Sequence, residues 1–150
     1  VEIELAGLTA SVQTEYRFRE DSGAVEVRRR VLSTSVPGAK LKFCEYMTAC
    51  YGTTEYPEDM KDVVLSVASQ NAQKSIGYAY RCREESLDCA VSASALVPQI
   101  ETRVSLECLG ANRGFVREGY AFSPMFTLGM EAEIGEKETL TTWLRLEKAN

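Results

Sequence analysis

The side chains that could do chemistry in this chain do not include histidine. The sequence has no histidine among its 150 residues, which excludes a histidine-based catalytic triad, a histidine-ligated zinc or haem, and a histidine proton shuttle. The acidic pairs Glu84–Glu85 and Glu131/Glu133 have no convergent partner in the sequence. We interpret them as solvating charge rather than as a calcium or glycosidase site. A hydrolytic enzyme with a paired nucleophile and base is therefore not supported.

The cysteines are the remaining reactive side chains. The five of them stand at positions 44, 50, 82, 89 and 108, and none forms a CxxC pair, so a zinc ribbon is not expected. We interpret Cys44, Cys89 and Cys108 as buried thiols that act as small hydrophobic residues. If the protein is secreted, Cys82 and Cys89 can instead link a hairpin through a disulfide.

Composition and charge narrow the class of protein. Hydrophobic residues make up 45% and charged residues 26% of the chain. These are ordinary values for a folded protein, and we expect a single domain over residues 1–150. The formal net charge of -5 argues against a nucleic-acid partner, and no apolar run reaches the length of a membrane span. The absence of an Asn-x-Ser/Thr sequon favours a cytoplasmic location.

The elements that position these side chains are mainly strands. Six segments alternate apolar and polar residues with a period of two, which is typical of a strand with one buried face. They cover residues 12–18, 25–31, 87–95, 100–108, 126–134 and 140–146. Turn residues separate them. We therefore predict an antiparallel meander, either closed as a barrel or folded as a sandwich.

One segment, residues 42–52, does not alternate. Its apolar side chains recur at helical spacing and are followed by a glycine; they are Phe43, Tyr46, Met47, Cys50 and Tyr51, with Gly52 after them. This spacing predicts a largely buried helix that ends at the glycine. Residues 57–60 predict a short helical turn, because proline is tolerated at a first helical position. The polar residues 66–75 predict a loop.

Three motifs follow one another from the predicted helix onward. They are Cys50-Tyr51-Gly52, Tyr56-Pro57-Glu58-Asp59-Met60-Lys61 and Gly77-Tyr78-Ala79-Tyr80-Arg81. In this order they resemble the X-Tyr-Gly chromophore tripeptide, the Tyr-Pro-x-x-Met-Lys stretch and the Gly-Tyr-x-x-x-Arg strand entry of the green fluorescent protein-like family, the last of them one residue shorter here. Residues 124–149 resemble the closing strands of its copepod and lancelet members. The resemblance implies an all-β fold, an antiparallel β-barrel around a buried central helix, here shortened and incomplete.

The resemblance also implies the function of a fluorescent protein or chromoprotein. In this family the backbone nitrogen at the position of Gly52 closes a ring on the carbonyl carbon at the position of Cys50. Molecular oxygen then conjugates the phenol, here that of Tyr51, to the ring. Arg81 matches the arginine that polarises the ring oxygen, whereas Leu144 stands where the family has a glutamate base.

Further expectations follow from this resemblance. No cofactor besides molecular oxygen is implied. The modification is autocatalytic, so the chain is not expected to be an enzyme. The incomplete barrel implies self-association or a complementing chain, with no nucleic acid and no membrane as partner.

Two alternatives of another class remain open. One is a secreted β-sandwich or barrel, stapled by disulfides among the five cysteines, that binds a partner. The other is a viral shell subunit. Five free thiols after denaturation would favour the chromophore protein, and one free thiol would favour the stapled binding domain.

Overall fold

Strands account for most of the described chain. The structure, a computed structural model, describes residues 1–5, 7–50, 60, 62–119 and 125–149. Within these residues the strands are β1 (Glu2–Leu5), β2 (Leu8–Arg19), β3 (Ala24–Thr34), β4 (Lys40–Cys50), β5 (Val64–Ser69), β6 (Gln73–Gly77), β7 (Glu84–Asp88), β8 (Ala90–Val97), β9 (Thr102–Cys108), β10 (Arg113–Glu118), β11 (Met125–Gly135) and β12 (Thr139–Lys148). A short 3-10 turn at Pro98–Ile100 precedes β9. In this part of the chain no helix has the length and hydrophobicity that a membrane span requires.

The strands form two antiparallel sheets. The larger sheet has eight strands in the order β1-β2-β3-β12-β9-β8-β5-β6, and the smaller has four in the order β4-β11-β10-β7. No ladder between described residues joins the outer strands of either sheet, so neither sheet closes on itself. The predicted barrel of the green fluorescent type is therefore wrong, and the two sheets pack face to face instead.

The predicted central helix is also wrong. The segment forms β4, which pairs with β11 from Lys40 to Cys50. The sequence of β4 does not alternate between apolar and polar residues, because two residues stand on unexpected faces. The polar Glu45 lies on the face toward the large sheet, where it pairs with Arg29 of β3. The aromatic Tyr46 is exposed on the opposite face. Residues 51–59, including Tyr51 and Gly52 and most of the predicted helical turn, lie outside the described residues.

Most of the predicted strands are confirmed. Residues 12–18 lie in β2, 126–134 in β11 and 140–146 in β12. The predicted strand at 87–95 is divided at Cys89, which has a positive φ of 51° and forms the turn between β7 and β8. The predicted loop at 66–75 is instead the hairpin of β5 and β6.

The core lies between the two sheets. Its largest fully buried side chains include Phe126, Leu128 and Met130 from β11. Opposite them, β8 presents Ala93 and Ala95, and small side chains there let the sheets approach each other. The approach is close at Gly114, since a Cβ on it would stand 2.6 Å from the Cβ of Ala90.

Candidate functional site

Three turns at one end of the two sheets surround an open cavity of about 550 Å³. They are the turns between β5 and β6, between β7 and β8, and between β9 and β10. The cavity is lined by Ser69, Gln70, Asn71, Cys89, Ala90, Val91, Leu109, Gly110, Ala111 and Asn112. A second cavity of about 390 Å³ adjoins it and is lined by Val91, Ser92, Glu107, Leu109, Trp143 and Arg145. Because Val91 and Leu109 line both, we treat the two as one surface feature, the Trp143 groove.

Backbone hydrogen bonds hold the three turns in place. The backbone N–H of Cys89 donates to the carbonyl oxygen of Asn112, at 2.8 Å. The N–H of Asn112 donates to the carbonyl of Glu131, at 2.7 Å, and its side-chain oxygen accepts from the N–H of Glu133. In the β5–β6 turn, the Ser69 hydroxyl accepts from the N–H of Ala72, at 3.1 Å. The walls of the groove are therefore tied to strands of both sheets.

Trp143 provides a flat apolar surface in the groove. It lies on the outer face of the large sheet, because Thr142 and Leu144 on either side of it face the core. The neighbouring strands place Glu26 of β3 and Glu107 of β9 directly opposite it. The indole is half-buried, so one part of the ring system is supported by protein and another part faces the cavity.

Charged groups border this indole on two sides. Arg145, two residues after Trp143 on the same face, donates from Nε to Oε2 of Glu107, at 3.0 Å. On the other side, Glu26 is 2% exposed and paired with Arg19 and Arg28. Burial alone would raise the pKa of Glu26, but the hydrogen bonds from the two arginines lower it. The two arginines therefore stabilise the negative charge of the buried Glu26. The Glu107–Arg145 pair, in contrast, is about one-third exposed and faces the groove.

Arg81, the predicted polarising residue, lies elsewhere in the molecule. It is exposed, in the segment between β6 and β7, and its backbone N–H donates to Oε1 of Glu118, at 2.9 Å. Cys50 ends β4, where it pairs with Met125 of β11. Tyr51 and Gly52 lie outside the described residues.

A buried carboxylate next to Arg81 was missed by the sequence analysis. Glu118 has a fully buried side chain and accepts hydrogen bonds from the N–H groups of Ala79 (2.7 Å) and Arg81 and from Nε of Arg83 (2.8 Å). Burial opposes its ionisation, but these hydrogen bonds outweigh burial and lower its pKa to about 2. The signal was its position at the end of β10, where period two puts it on the same inward face as Gly114 and Val116.

Tyr78 extends the same cluster. Its hydroxyl donates to the carbonyl of Met125, at 2.5 Å, and accepts from the N–H of Gly119, at 3.0 Å. Burial raises its pKa to about 12. Together with Glu118, this tyrosine fastens the segment between β6 and β7 to the ends of β10 and β11. We interpret the cluster as structural.

The burial of the cysteines agrees only in part with the interpretation from the sequence. Cys108 is buried, as expected, and burial raises the pKa of its thiol. Cys44 and Cys89 are exposed, so their interpretation as buried thiols is wrong. Cys44, Cys82, Cys89 and Cys108 are all free thiols, which leaves the proposed link between Cys82 and Cys89 unmade. No group of histidine, cysteine or acidic side chains within the described ranges is arranged to hold a metal ion.

Comparison with known proteins gives a fold and no family. No protein family and no curated protein matches this sequence. Among solved structures, Slr1438 of Synechocystis sp. PCC 6803 matches with a TM-score of 0.58 and 9% identity, over 94% of this chain and 54% of that one. HI1317 matches with a TM-score of 0.59 and 7% identity, over 98% of this chain and 63% of that one. A protein of Escherichia coli K12, provisionally described as an aldose 1-epimerase, matches with a TM-score of 0.54 and 11% identity, over 98% of this chain and 68% of that one.

These matches correct the sequence analysis. The similar structures are not of the green fluorescent type, so the resemblance to that family and the function of a fluorescent protein or chromoprotein are wrong. The expectation that the chain is not an enzyme is contradicted, because a similar fold occurs in a protein described as an enzyme. The chain spans between about half and two thirds of the length of these proteins. It is therefore similar in fold, and at this level of identity in fold alone, to Slr1438, HI1317 and the epimerase-like protein of Escherichia coli.

Proposed function

We propose that the protein binds a saccharide in the Trp143 groove. The observation that carries this proposal is the half-buried indole of Trp143 next to the partly exposed Glu107–Arg145 ion pair, inside a groove walled by three turns. The similarity in fold to a protein described as an aldose 1-epimerase adds support, because the substrate of such an enzyme is a free sugar.

The indole supplies the apolar part of the recognition. A pyranose ring has a face of C–H groups, and that face packs on a flat aromatic surface while its hydroxyl groups stay at the rim. Leu109, which is 70% exposed, and Val91 extend the apolar surface beside Trp143. An exposed leucine of this kind is ordinary on its own, but here it forms one wall of the cavity.

Planar polar side chains supply the directional hydrogen bonds of the proposed sugar recognition. The guanidinium of Arg145 donates and the carboxylate of Glu107 accepts, so together they match two neighbouring hydroxyl groups of a sugar. In the wider part of the groove, Gln70 and Asn71 are exposed and each has an amide that both donates and accepts. The volumes of the two cavities fall in the range of small-molecule sites, about 300–1,000 Å³.

Turnover of the bound sugar is a second candidate function, favoured by the similarity to the epimerase-like protein. Glu107 is the carboxylate that lines the groove. As a general base it would take the proton of the anomeric hydroxyl group while the ring oxygen gains a proton from water. The ring then opens to the aldehyde and closes again on either face.

The fluorescence of Trp143 tests the binding proposal directly, because it is the single tryptophan of the chain. We expect titration with D-glucose, D-galactose or D-mannose, or with their short oligosaccharides, to change the emission of Trp143 in a saturable way. In calorimetry, Trp143→Ala should weaken binding at least about tenfold, because truncating a central aromatic contact removes most of its apolar burial. Tyr46→Ala, which removes an exposed aromatic side chain on the other sheet, is the matched control. No response to any sugar in the panel would contradict the proposal.

Polarimetry tests turnover in the same preparations. Catalysed mutarotation that Glu107→Gln abolishes, with sugar binding retained, would establish the second function. Binding without acceleration of mutarotation would restrict the protein to recognition.

A further inference from the structure

A row of four serines crosses the outer face of the large sheet next to the Trp143 groove. Strand pairing places these serines directly opposite one another on β9, β8, β5 and β6; they are Ser105, Ser94, Ser66 and Ser75, and we call them the serine row. The residue opposite Ser105 on the other neighbouring strand is Arg145 of β12, which lines the groove. The serine row therefore begins at the groove and leads away from it across four strands.

The side chains of the serine row face away from the core. Ala93 and Ala95, on either side of Ser94, are fully buried between the sheets, so Ser94 points outward. The same alternation turns Ser66 outward on β5, and its Oγ lies 2.8 Å from that of Ser75. The hydroxyl groups are therefore the hydrogen-bonding groups that the row offers on this face.

This part of the outer face carries no charge. Charged residues make up 26% of the chain, yet the outward residues of β5 and β8 are all uncharged; they are Val64, Ser66, Ala68, Ser92, Ser94 and Leu96. On the same face, β3 presents Glu26 and Arg28 instead. An uncharged floor of small side chains and hydroxyl groups is complementary to a neutral ligand rich in hydroxyl groups, and it offers an ionic ligand no opposite charge.

Ser105 holds a buried hydroxyl group without a partner. The residue is 5% exposed, and its hydroxyl makes no hydrogen bond to any residue that the structure describes. No fully enclosed side-chain oxygen or nitrogen in the described part of the chain lacks a partner, so the oxygen of Ser105 is reached from the outer face. A buried hydroxyl without a partner destabilises the folded state. Stability therefore gives no reason for a serine here, whereas a ligand that hydrogen-bonds to it does.

We propose that the serine row extends the sugar site, so that the ligand is a neutral, extended glycan chain rather than a single sugar. The inference rests on the proposed function, because one unit of the chain has to pack on Trp143. Neighbouring strands lie about 4.8 Å apart, so β6 stands about 19 Å from β12, which leaves room for about three further sugar units. The units of a β-1,4-linked chain repeat at a spacing similar to that of the strands, so successive units meet successive serines.

The dependence of affinity on chain length tests the proposal. We would titrate the protein in a calorimeter with β-1,4-linked oligomers of D-glucose, D-galactose and D-mannose, from one to six units long. In one of these series we expect the affinity to rise at least about tenfold between one unit and about four units, and then to level off, because added units gain hydrogen bonds only until the row ends at β6.

Two variants locate the added contacts. Ser94→Ile fills the middle of the row, so it should reduce the affinity for the longer oligomers to that for the single sugar, which itself should not change. Ser86→Ile is the matched control, because Ser86 is half-buried like Ser94 but lies on the outer face of the small sheet. Ser105→Ala should weaken binding of the longer oligomers at least about threefold without lowering the midpoint of unfolding, because the hydroxyl that it removes has no partner in the described chain. A merely structural serine would give a lower midpoint instead.

The outcomes separate this inference from the proposed function. A single sugar that binds while its longer oligomers bind no tighter would overturn the serine row and leave the Trp143 groove as a sugar site. Longer oligomers that bind Ser94→Ile and Ser105→Ala as tightly as the unmodified chain would also overturn the row, because their added contacts would lie elsewhere. Failure of every sugar and oligomer to bind would refute both proposals. Circular dichroism shows whether each variant is folded, and if Ser94→Ile is not, Ser105→Ala decides.

Discussion

The buried carboxylate of Glu118 allows a prediction whose magnitude follows from the structure. A group whose pKa lies at about 2 when folded, against an ordinary value of 4.5, stabilises the folded state at neutral pH by about 3 kcal/mol. Glu118→Gln removes the charge and turns one acceptor into an N–H donor that faces backbone N–H groups. We therefore expect the variant to lose about 3 kcal/mol of unfolding free energy at pH 7, within the range for breaking a buried ion pair.

The pH dependence of this loss has a defined sign. Because the pKa is lowered on folding, the contribution of Glu118 is fully present above pH 4.5 and is lost as the pH falls from there toward 2. The difference in stability between the unmodified chain and Glu118→Gln should therefore be constant from pH 7 to 5 and shrink below pH 4.5. Urea unfolding followed by fluorescence at each pH measures both curves.

A surface ion pair provides the control for this prediction. Glu85 lies 3.7 Å from Lys74, and both side chains are well exposed, so Glu85→Gln should cost less than about 1 kcal/mol. If Glu118→Gln costs no more than Glu85→Gln, or if its cost is the same at pH 3 and pH 7, the assignment of a stabilising buried anion is refuted.

The remaining predictions concern packing, a thiol and an ion pair between the sheets. Gly129→Ala should destabilise the protein by about 1–3 kcal/mol, measured by urea unfolding, because a Cβ there would overlap the ring of Phe115; an unchanged midpoint would contradict this. Sugar bound in the Trp143 groove should slow the alkylation of Cys89, which lines the groove. Mass spectrometry measures the rate of alkylation with and without sugar, and equal rates would contradict binding there. Arg29 is partly buried with Glu45, and its Nη2 lies 3.1 Å from Oε2 of that residue. Arg29→Met should lower the free energy of unfolding more than the double variant Arg29→Met/Glu45→Leu does, because the single variant leaves Glu45 without its partner. A double-mutant cycle without coupling would contradict this.

The strands that sequence reasoning predicted well are those whose two faces differ in polarity. In β11 and β12 the inward residues are apolar along almost the whole strand, so period two is plain. In β4 the inward Glu45 is compensated by Arg29, a residue 16 positions away. The apolar pattern then mimics a helix, and no local signal corrects it. Short polar strands such as β6 likewise acquire their structure from pairing with β5.

The candidate site could not be predicted from the sequence for a related reason. The alternation of residues 140–146 is enough to place Trp143 on the face opposite Leu140 and Leu144, and the structure has it on that outer face. Its neighbours Glu107 and Leu109, however, come from β9 and the turn after it, and the pairing of β12 with β9 is not encoded in any local motif. Glu118 shows the same limit, because its hydrogen-bond donors at residues 79–83 lie more than 30 positions earlier.

The position of β12 in the large sheet has a consequence for synthesis of the chain. This strand follows the other eleven described strands in the sequence but lies between β3 and β9. It therefore joins two groups of described strands that otherwise share no ladder in that sheet. Until β12 has left the ribosome, β3 and β9 each present an unpaired edge. Until then the nascent chain holds two incomplete sheets with a gap one strand wide, and it depends on β12, or on a chaperone, to keep those edges from pairing elsewhere.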